Sequence, residues 1–558
     1  MTDLKMSISS GPTDQALMHE TIGKSFRTTV AAYPDHDGLI VRHQHVRWSY
    51  AEYLQRVDEL AAGLLALGIE PGDRVGIWAP NCFEWCLTQF ATASIGAIMV
   101  CINPAYRVYE LEYALNKVQC RAIITAESFK TSDYLSMLRD LAPELDSCEP
   151  GDLRSEKLPQ LEIVVRMGEE RSPGMYNFGE VCAMGEQADY DRLAELGQGL
   201  DPDSPINIQF TSGTTGNPKG ATLTHTNILN NGKLVGDGMK LTENDRLCIP
   251  VPLYHCFGMV MGNLACTTHG SAAVFPGDAF EPAGTLATVA EERCTALHGV
   301  PTMFIAELDD PGFDEYDLSS LRTGIMAGAS CPVEVMRKVL DRMHMSDVLI
   351  AYGQTETSPV NHMTATDDPI EKRVGTVGRT APHVEVKIAD ESGNPLPIGE
   401  RGEICVRGYS VMDGYWGDEQ RTKETIDAEQ WLHSGDIGIM DSEGYVQVVG
   451  RIKDMIIRGG ENVYPREVEE FLYTHPAILE AQVFGIAHEK YGEEVCAWIQ
   501  LQEGAELTEE DLKAFCRERM THFKIPSQIR FVSEFPMTVT GKIQKFLMRD
   551  EMAKALGR

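Results

Sequence analysis

The feature that most constrains this chain is an alternation, from residue 49 to residue 165, of short apolar runs with longer stretches of helical period. Ser49-Tyr50-Ala51-Glu52 has the form of a capping box, in which a hydroxyl and a carboxylate satisfy the first free N–H groups of a helix, here over residues 54–67. Gly68-Ile69-Glu70-Pro71-Gly72-Asp73 ends that helix. Arg74-Val75-Gly76-Ile77-Trp78 reads as a strand, residues 84–94 as a second helix and residues 98–102 as the next strand. Strands resume at Arg121-Ala122-Ile123-Ile124-Thr125 and at Leu161-Glu162-Ile163-Val164-Val165. Such spacing predicts an α/β fold built on doubly wound, mostly parallel sheet. Residues 11–45 read as an irregular lead-in, and the polar, acidic residues 143–159 as a surface excursion.

At 558 residues the chain exceeds one hydrophobic core and should divide into about two to four domains. A net charge of −34 argues against non-specific binding to nucleic acid or an anionic membrane, both of which need a basic surface. Fourteen cysteines carry no CxxC pair or zinc spacing, and several lie in apolar runs, so they read as reduced core residues. With no signal sequence at the start and no apolar run long enough to span a bilayer, the expected location is the cytoplasm.

The βα alternation restarts after residue 220, which suggests two similar subdomains, and open α/β sheets bind ligands at such junctions. There stands Thr211-Ser212-Gly213-Thr214-Thr215-Gly216-Asn217-Pro218-Lys219-Gly220, leaving the alternating strand 205–210. Glycines let several N–H groups face one anion, while hydroxyls and an ammonium add donors and charge. The loop is a phosphate cradle or a polar turn; it is not the Walker pattern, since Pro218 precedes the lysine and Gly220 follows it.

Further on, a helix starts near Thr226, and Pro250-Val251-Pro252-Leu253-Tyr254-His255-Cys256-Phe257-Gly258 breaks regular structure around a histidine that suits either core or site. Tyr352-Gly353-Gln354-Thr355-Glu356-Thr357 follows the strand 348–351, so it too lies at a strand's C-terminal end, where an aromatic can stack on a base and a carboxylate can hold a cation. Residues 382–406 read as a small antiparallel β subdomain. Trp431-Leu432-His433-Ser434-Gly435-Asp436 sets a carboxylate beside a glycine turn, and Gly450-Arg451-Ile452-Lys453-Asp454-Met455-Ile456 reads as a boundary. Beyond it come a helix from Pro465, strands at 481–486 and 494–501, a helix near Thr508, a strand at 528–532 and a loop at 536–542, together a compact α+β lid.

Taken together, TSGTTGNPKG, PLYHCFG, YGQTE, SGD, GRIKDMI and a terminal TGK occur in the order found in the adenylate-forming superfamily, which the chain resembles from about residue 49 to residue 547. Within it the chain most resembles the medium-chain fatty acyl-CoA synthetases. The resemblance implies an N-terminal domain over residues 1–450 and a mobile lid over 451–558. It implies ATP, CoA and Mg²⁺ as cofactors and a two-step ligation: a carboxylate attacks the α-phosphate of ATP, then the CoA thiol attacks the acyl-adenylate. By the same resemblance Thr211, Ser212, Gly213, Thr214, Thr215, Gly216 and Lys219 cradle the β- and γ-phosphates, Glu356 holds Mg²⁺, and Thr355 contacts the α-phosphate. Tyr352, with Gly353 and Gln354, stacks on adenine opposite Gly328, Ala329 and Ser330, while Asp436 and Arg451 hold the ribose. Lys542 reaches the reacting oxygens in the first step. Rotation about Lys453 then exchanges it for Arg458, Gly459, Gly460 and Glu461, which line the CoA path, while His255 gates the thiol.

The expected acyl pocket comprises Tyr254, His255, Met259, Val300, Pro301 and Met303. Apart from His255 it holds no cationic partner for a second carboxylate, so the substrate expected is an aliphatic monoacid, with an aryl or short thioether acid, or transfer to a separate carrier protein, as alternatives. The expected partners are these small molecules alone, with a homodimer admitted.

Overall fold

The computed structural model describes residues 5–211, 218–329, 331–517, 519–538 and 543–557. Two large sheets carry the fold. The first has the strand order Tyr176–Asn177, Ile163–Arg166, Ala122–Thr125, Arg74–Trp78, Ile98–Cys101, Pro205–Thr211, Lys219–Thr224, Gly414–Tyr415. Its strands run parallel as far as Pro205–Thr211 and antiparallel beyond. The second is parallel from Asp347–Gly353 through Thr323–Met326, Ala296–Leu297, Arg246–Cys248 and Ala272–Phe275 to Asp37–Val41, with antiparallel strands at both edges.

The central core lies between these sheets: Val75, Ile77 and Met99 from the first meet Leu39, Leu247 and Ile325 from the second. Helix Phe83–Ile95 is buried at every residue but its first, as a helix within such a layer must be. On the outer face of the first sheet, helices Val108–Val118 and Tyr134–Leu141 cover Val100, Ile123 and Val164. On that of the second, Pro282–Glu292 and Val333–Arg342 cover Val274, Leu297 and Val348. Both sheets are thus covered on both faces, which explains their short, continuously apolar strands.

The capping box forms as expected: the Ser49 N–H donates to Glu52 Oε2 at 2.8 Å, and the Glu52 N–H donates to Ser49 Oγ at 3.3 Å, opening helix Tyr50–Ala66. Residues 11–45, expected to be irregular, instead hold helix Ile22–Ala32 and strand Asp37–Val41. That helix is rich in Thr, Ser and Gly, weak helix formers. It is held by a Thr21 cap and by Phe26, which sits 5.1 Å from Tyr53 and 4.4 Å from Phe90 between ring centroids. The strand enters the second sheet although it precedes every strand of the first along the chain, so the two βα units are not consecutive.

A third sheet, antiparallel throughout, contains Ile8–Ser10, Val384–Ala389, Arg401–Gly408, Leu432–Met440 and Val446–Arg451. A fourth contains Glu461–Val463, Ile456–Arg458, Gly492–Leu501 and Ile478–His488, joined by Gln528–Phe531, and packs with helices Pro465–Leu472 and Glu509–Arg517 around Val468, Leu472 and Leu512. All fourteen cysteines are unpaired, and twelve of them are buried. Among the described residues no helix is long and apolar enough to cross a membrane.

Burial holds His225 and His362 down to about 3 and His298 down to about 4, whereas burial pushes the Glu307 carboxyl well above its usual range. The histidines stabilise the fold above about pH 6.5, and that contribution is lost as pH falls toward 4–3. Glu307 acts with the opposite sign, losing its contribution as pH rises above the unfolded carboxyl value. Between pH 4.5 and 6.5 the unfolded chain takes up protons on three histidines that the fold excludes, and Glu307 opposes this with the reverse sign. Stability should therefore rise with pH across this window. Urea unfolding from pH 5 to 6.5 measures this slope, and Glu307→Gln should steepen it; an unchanged slope in that variant contradicts a protonated Glu307.

Candidate active site

The C-terminal ends of Pro205–Thr211 and Asp347–Gly353 belong to different sheets, yet the residues that follow them meet. The Thr211 hydroxyl donates to Glu356 Oε1 at 3.3 Å. Tyr415 Oη donates to the same oxygen at 2.8 Å, and Lys219 Nζ donates to Tyr415 Oη at 3.0 Å. Lys219 opens the strand opposite Thr211, and the register pairs the two residues, so the ladder fixes both ends of the connection between them. Burial lowers the Lys219 pKa, with Arg421 and Lys453 adding repulsion and Glu356 opposing. This ammonium is thus crowded by cations, a setting that an anionic ligand would relieve. Beside it lies a cavity of about 310 Å³, lined in part by Lys117, Lys219, Tyr415 and Arg421.

Glu356 is held by the short turn Thr355–Thr357. The Thr357 N–H donates to the Gln354 carbonyl at 2.7 Å, and the Gln354 N–H donates to Thr357 Oγ1 at 3.1 Å. Gly353 is required here, because a Cβ would lie 1.8 Å from the Pro359 carbonyl oxygen. Thr355 is half-buried beside Glu356.

A second cluster adjoins the first. Tyr352 Oη donates to Asp436 Oδ2 at 2.6 Å, and Arg451 Nε lies 3.1 Å from Asp436 Oδ1. Asp436 and Arg451 are direct partners across two antiparallel strands of the third sheet. The Gly435 turn, with φ of +74°, is fixed from behind: its N–H donates to Glu403 Oε1 at 2.9 Å, and the Asp436 N–H donates to Ser434 Oγ at 3.0 Å. Burial raises the Asp436 pKa while the Arg451 charge and the Tyr352 hydroxyl pull it back, so the carboxylate is kept as an acceptor at the price of its two donors. Gly328 and Ala329 are exposed, and a Cβ on Gly328 would stand 3.1 Å from Val300 Cγ1, so the expected adenine wall borders the expected acyl pocket.

In that pocket the segment before Gly258 is tied down by Asn81, whose Nδ2 donates to the Val251 carbonyl at 3.0 Å and whose Oδ1 accepts from the Leu253 N–H at 2.7 Å. The Phe257 N–H donates to His255 Nδ1 at 3.2 Å, which leaves the neutral ring's proton on Nε2. From Phe257 to Leu264 the helix is wound wide, with i→i+5 turns, a form associated with functional sites. Its Met259 is buried, and the Met259 sulfur accepts from Gln209 Nε2 at 3.0 Å. Val300, Pro301 and Met303 begin helix Pro301–Leu308 and are buried, while Tyr254 and His255 are partly exposed.

Arg458 is turned into its own unit, donating to the Phe523 carbonyl at 2.8 Å, while Gly459, Gly460 and Glu461 are exposed on a hairpin turn. Lys453 is exposed in the turn Ile452–Asp454. Ser212, Gly213, Thr214, Thr215, Gly216, Ser330 and Lys542 lie outside the described residues. The sequence reading missed Tyr415 and Glu403. Tyr415 occupies a two-residue strand with no periodic signal, and only its register with Ala221 brings it beside Lys219. Glu403 gives no cue until the third sheet sets it behind Gly435.

Two family models match, that of the AMP-binding enzyme over residues 26–416 and that of the AMP-binding enzyme C-terminal domain over residues 467–542. A putative acyl-CoA synthetase, YngI, of Bacillus subtilis (strain 168) is 47% identical over 96% of this chain and 97% of its own. The medium-chain acyl-CoA ligase ACSF2, mitochondrial, of Danio rerio is 45% identical over 99% of this chain and 92% of its own. Among solved structures, the anthranilate CoA ligase AuaEII in complex with anthranoyl-AMP superposes with a TM-score of 0.85 at 26% identity, covering 98% of this chain and 99% of that one. ATP-bound MatB from Rhodopseudomonas palustris gives 0.82 at 27%, over 97% and 100%.

Tyr415→Phe removes the hydroxyl that joins Lys219 to Glu356 while keeping the ring. ATP–pyrophosphate exchange should fall by about tenfold to a hundredfold, the worth of a hydrogen bond to a charged group, and unchanged exchange contradicts the bridge. Family models that cover most of its length and relatives alike from end to end establish that the chain belongs to the AMP-binding enzymes of the adenylate-forming superfamily, among the acyl-CoA synthetases.

Proposed function

We propose that this chain is an ATP-dependent fatty acid–CoA ligase with a preference for medium-chain acids. The observation that carries the reading is that the Lys219–Tyr415–Glu356–Thr211 chain, which joins strand ends of the first two sheets, adjoins the Tyr352–Asp436–Arg451 cluster, which joins the second sheet to the third. One cluster suits a polyphosphate and its counter-ion, the other a nucleoside.

In the first half-reaction two anions must approach, so neutralising charge and fixed position carry the catalysis. Lys219 and the loop from Thr211 hold the β- and γ-phosphates, and Thr355 orients the α-phosphate. Asp436 accepts from the ribose hydroxyls in place of Tyr352, freeing that ring to lie along the base, and Arg451 adds a donor. Among the described residues both hydrogen bonds to Glu356 fall on Oε1, which leaves Oε2 to a hard cation. Mg²⁺ held there would neutralise phosphate charge. Lys542 bridges the acyl carboxylate and the α-phosphate.

In the second half-reaction the lid, residues 451–558, turns about Lys453, withdraws Lys542 and presents Gly459, Gly460 and Glu461 to the pantetheine arm. Arg458, which donates to the Phe523 carbonyl, lies at the root of this turn and lines the CoA path with them. His255, its proton on Nε2, can donate to the adenylate's carbonyl side as the thiol enters. Adenylate is a good leaving group, so a small fraction of thiolate suffices. Buried, flexible Met259 and Met303 suit an alkyl chain. The unpaired cysteines support a reducing compartment, which we take to be the cytoplasm; a homodimer is compatible with the reading.

AMP release with straight-chain acids from acetate to palmitate, and with benzoate, should require CoA and peak at middle chain lengths. A benzoate optimum would favour an aryl acid ligase, and exchange without CoA-dependent turnover a separate carrier protein. Lys542→Ala should cut adenylate formation by about a hundredfold or more while sparing thioester formation from supplied acyl-AMP; equal loss of both contradicts a two-position lid.

A further inference from the structure

Behind the Gly435 turn the third sheet gathers three different metal-ligating side chains. Cys405 and His433 are direct cross-strand partners, with Cys405 Sγ 3.6 Å from His433 Nδ1. Glu403, two residues before Cys405 and brought round by a register shift between them, places Oε2 2.8 Å from the same nitrogen. The three ligand atoms lie within 4.8 Å of one another, and Cys405 is buried against Trp431.

We propose that Glu403 Oε2, Cys405 Sγ and His433 Nδ1 form a binding site for a divalent transition metal of the zinc class, separate from the nucleotide's Mg²⁺. A thiolate with an imidazole selects Zn²⁺ or Co²⁺ over Mg²⁺, which prefers oxygen and water. Around a tetrahedral ion with ligands at about 2.0–2.3 Å, donors stand about 3.3–3.8 Å apart. The sulfur–nitrogen separation already fits, and the nitrogen–oxygen pair has to open by about 0.5 Å. Water completes the fourth position.

Two surrounding contacts favour the site. Asp427 Oδ2 lies 3.7 Å from His433 Nε2, on the far side of the ring, where a carboxylate orients a metal-bound imidazole. Asp427 is itself held in place, its Oδ1 accepting from the Glu429 and Trp431 N–H groups. Glu403 uses Oε1 for the Gly435 N–H, so Oε2 can bind the ion without releasing the ribose-binding turn. On binding, the Cys405 thiol and His433 Nδ1–H, which donates to Glu403 Oε2 in the free protein, each give a proton to solvent; the ring takes one up at Nε2 beside Asp427, and the freed Nδ1 lone pair goes to the ion.

Co²⁺ titrated anaerobically into chelator-treated full-length protein should give a thiolate-to-cobalt charge-transfer band at one ion per chain, discharged by Zn²⁺ and unaffected by millimolar Mg²⁺. Cys405→Ser should abolish the band. Asp427→Asn should weaken Co²⁺ binding by about tenfold or more. His433→Gln, which spares the thiol, should weaken it at least as much and stands in should Cys405→Ser fail to fold. No band in the wild type, or a band that persists in Cys405→Ser or binds as tightly in His433→Gln, overturns the site.

Discussion

Glu356 Oε1 is the point on which the site depends. Thr211 reaches it from the first sheet and Tyr415 from that sheet's last strand, while Glu356 itself follows a strand of the second. Two hydroxyl donors on one half-buried carboxylate oxygen, with a lysine one hydroxyl away, tie two independently built sheets together. Strands of both sheets end here, the place where open α/β sheets present their loops to a ligand. The sheets position the chemistry, and the loops supply it.

The nucleoside side is built on a different principle. Asp436 and Arg451 face one another across an antiparallel ladder, which fixes their spacing more rigidly than loops could. Tyr352 arrives from the second sheet and donates to the buried carboxylate, satisfying it in the absence of a ribose. In the proposed reading the ribose hydroxyls would replace that donor, so the buried carboxylate would keep hydrogen-bond partners. Glu403 supports this arrangement from beneath through the Gly435 N–H, which links nucleotide geometry to the Cys405–His433 face of the same sheet.

How much of this was legible in the sequence follows from the range of the interactions involved. The Ser49–Glu52 cap, the strand at 74–78 and the helix from Pro465 are local, and the chain announces them through residue type and period. The helix Ile22–Ala32 is not, because contacts with Tyr53 and Phe90 decide it against weak propensities. Thr211, Lys219, Tyr352 and Glu356, at or just beyond strand ends, and Asp436, beside Gly435 within a strand, could be read from ordered motifs marked by glycine. Tyr415 and the Glu403–Cys405–His433 group could not. Their partners lie tens to hundreds of residues away, and only sheet register brings them together.

The central claim is that one site joins carboxylate to α-phosphate before any thiol acts. Octanoate labelled with ¹⁸O at both carboxyl oxygens, turned over with ATP and CoA, tests it most directly. One labelled oxygen should appear in AMP, with pyrophosphate unlabelled and the other label in the thioester. Label in pyrophosphate, or AMP free of label while octanoyl-CoA accumulates, would contradict an acyl-adenylate formed at this site.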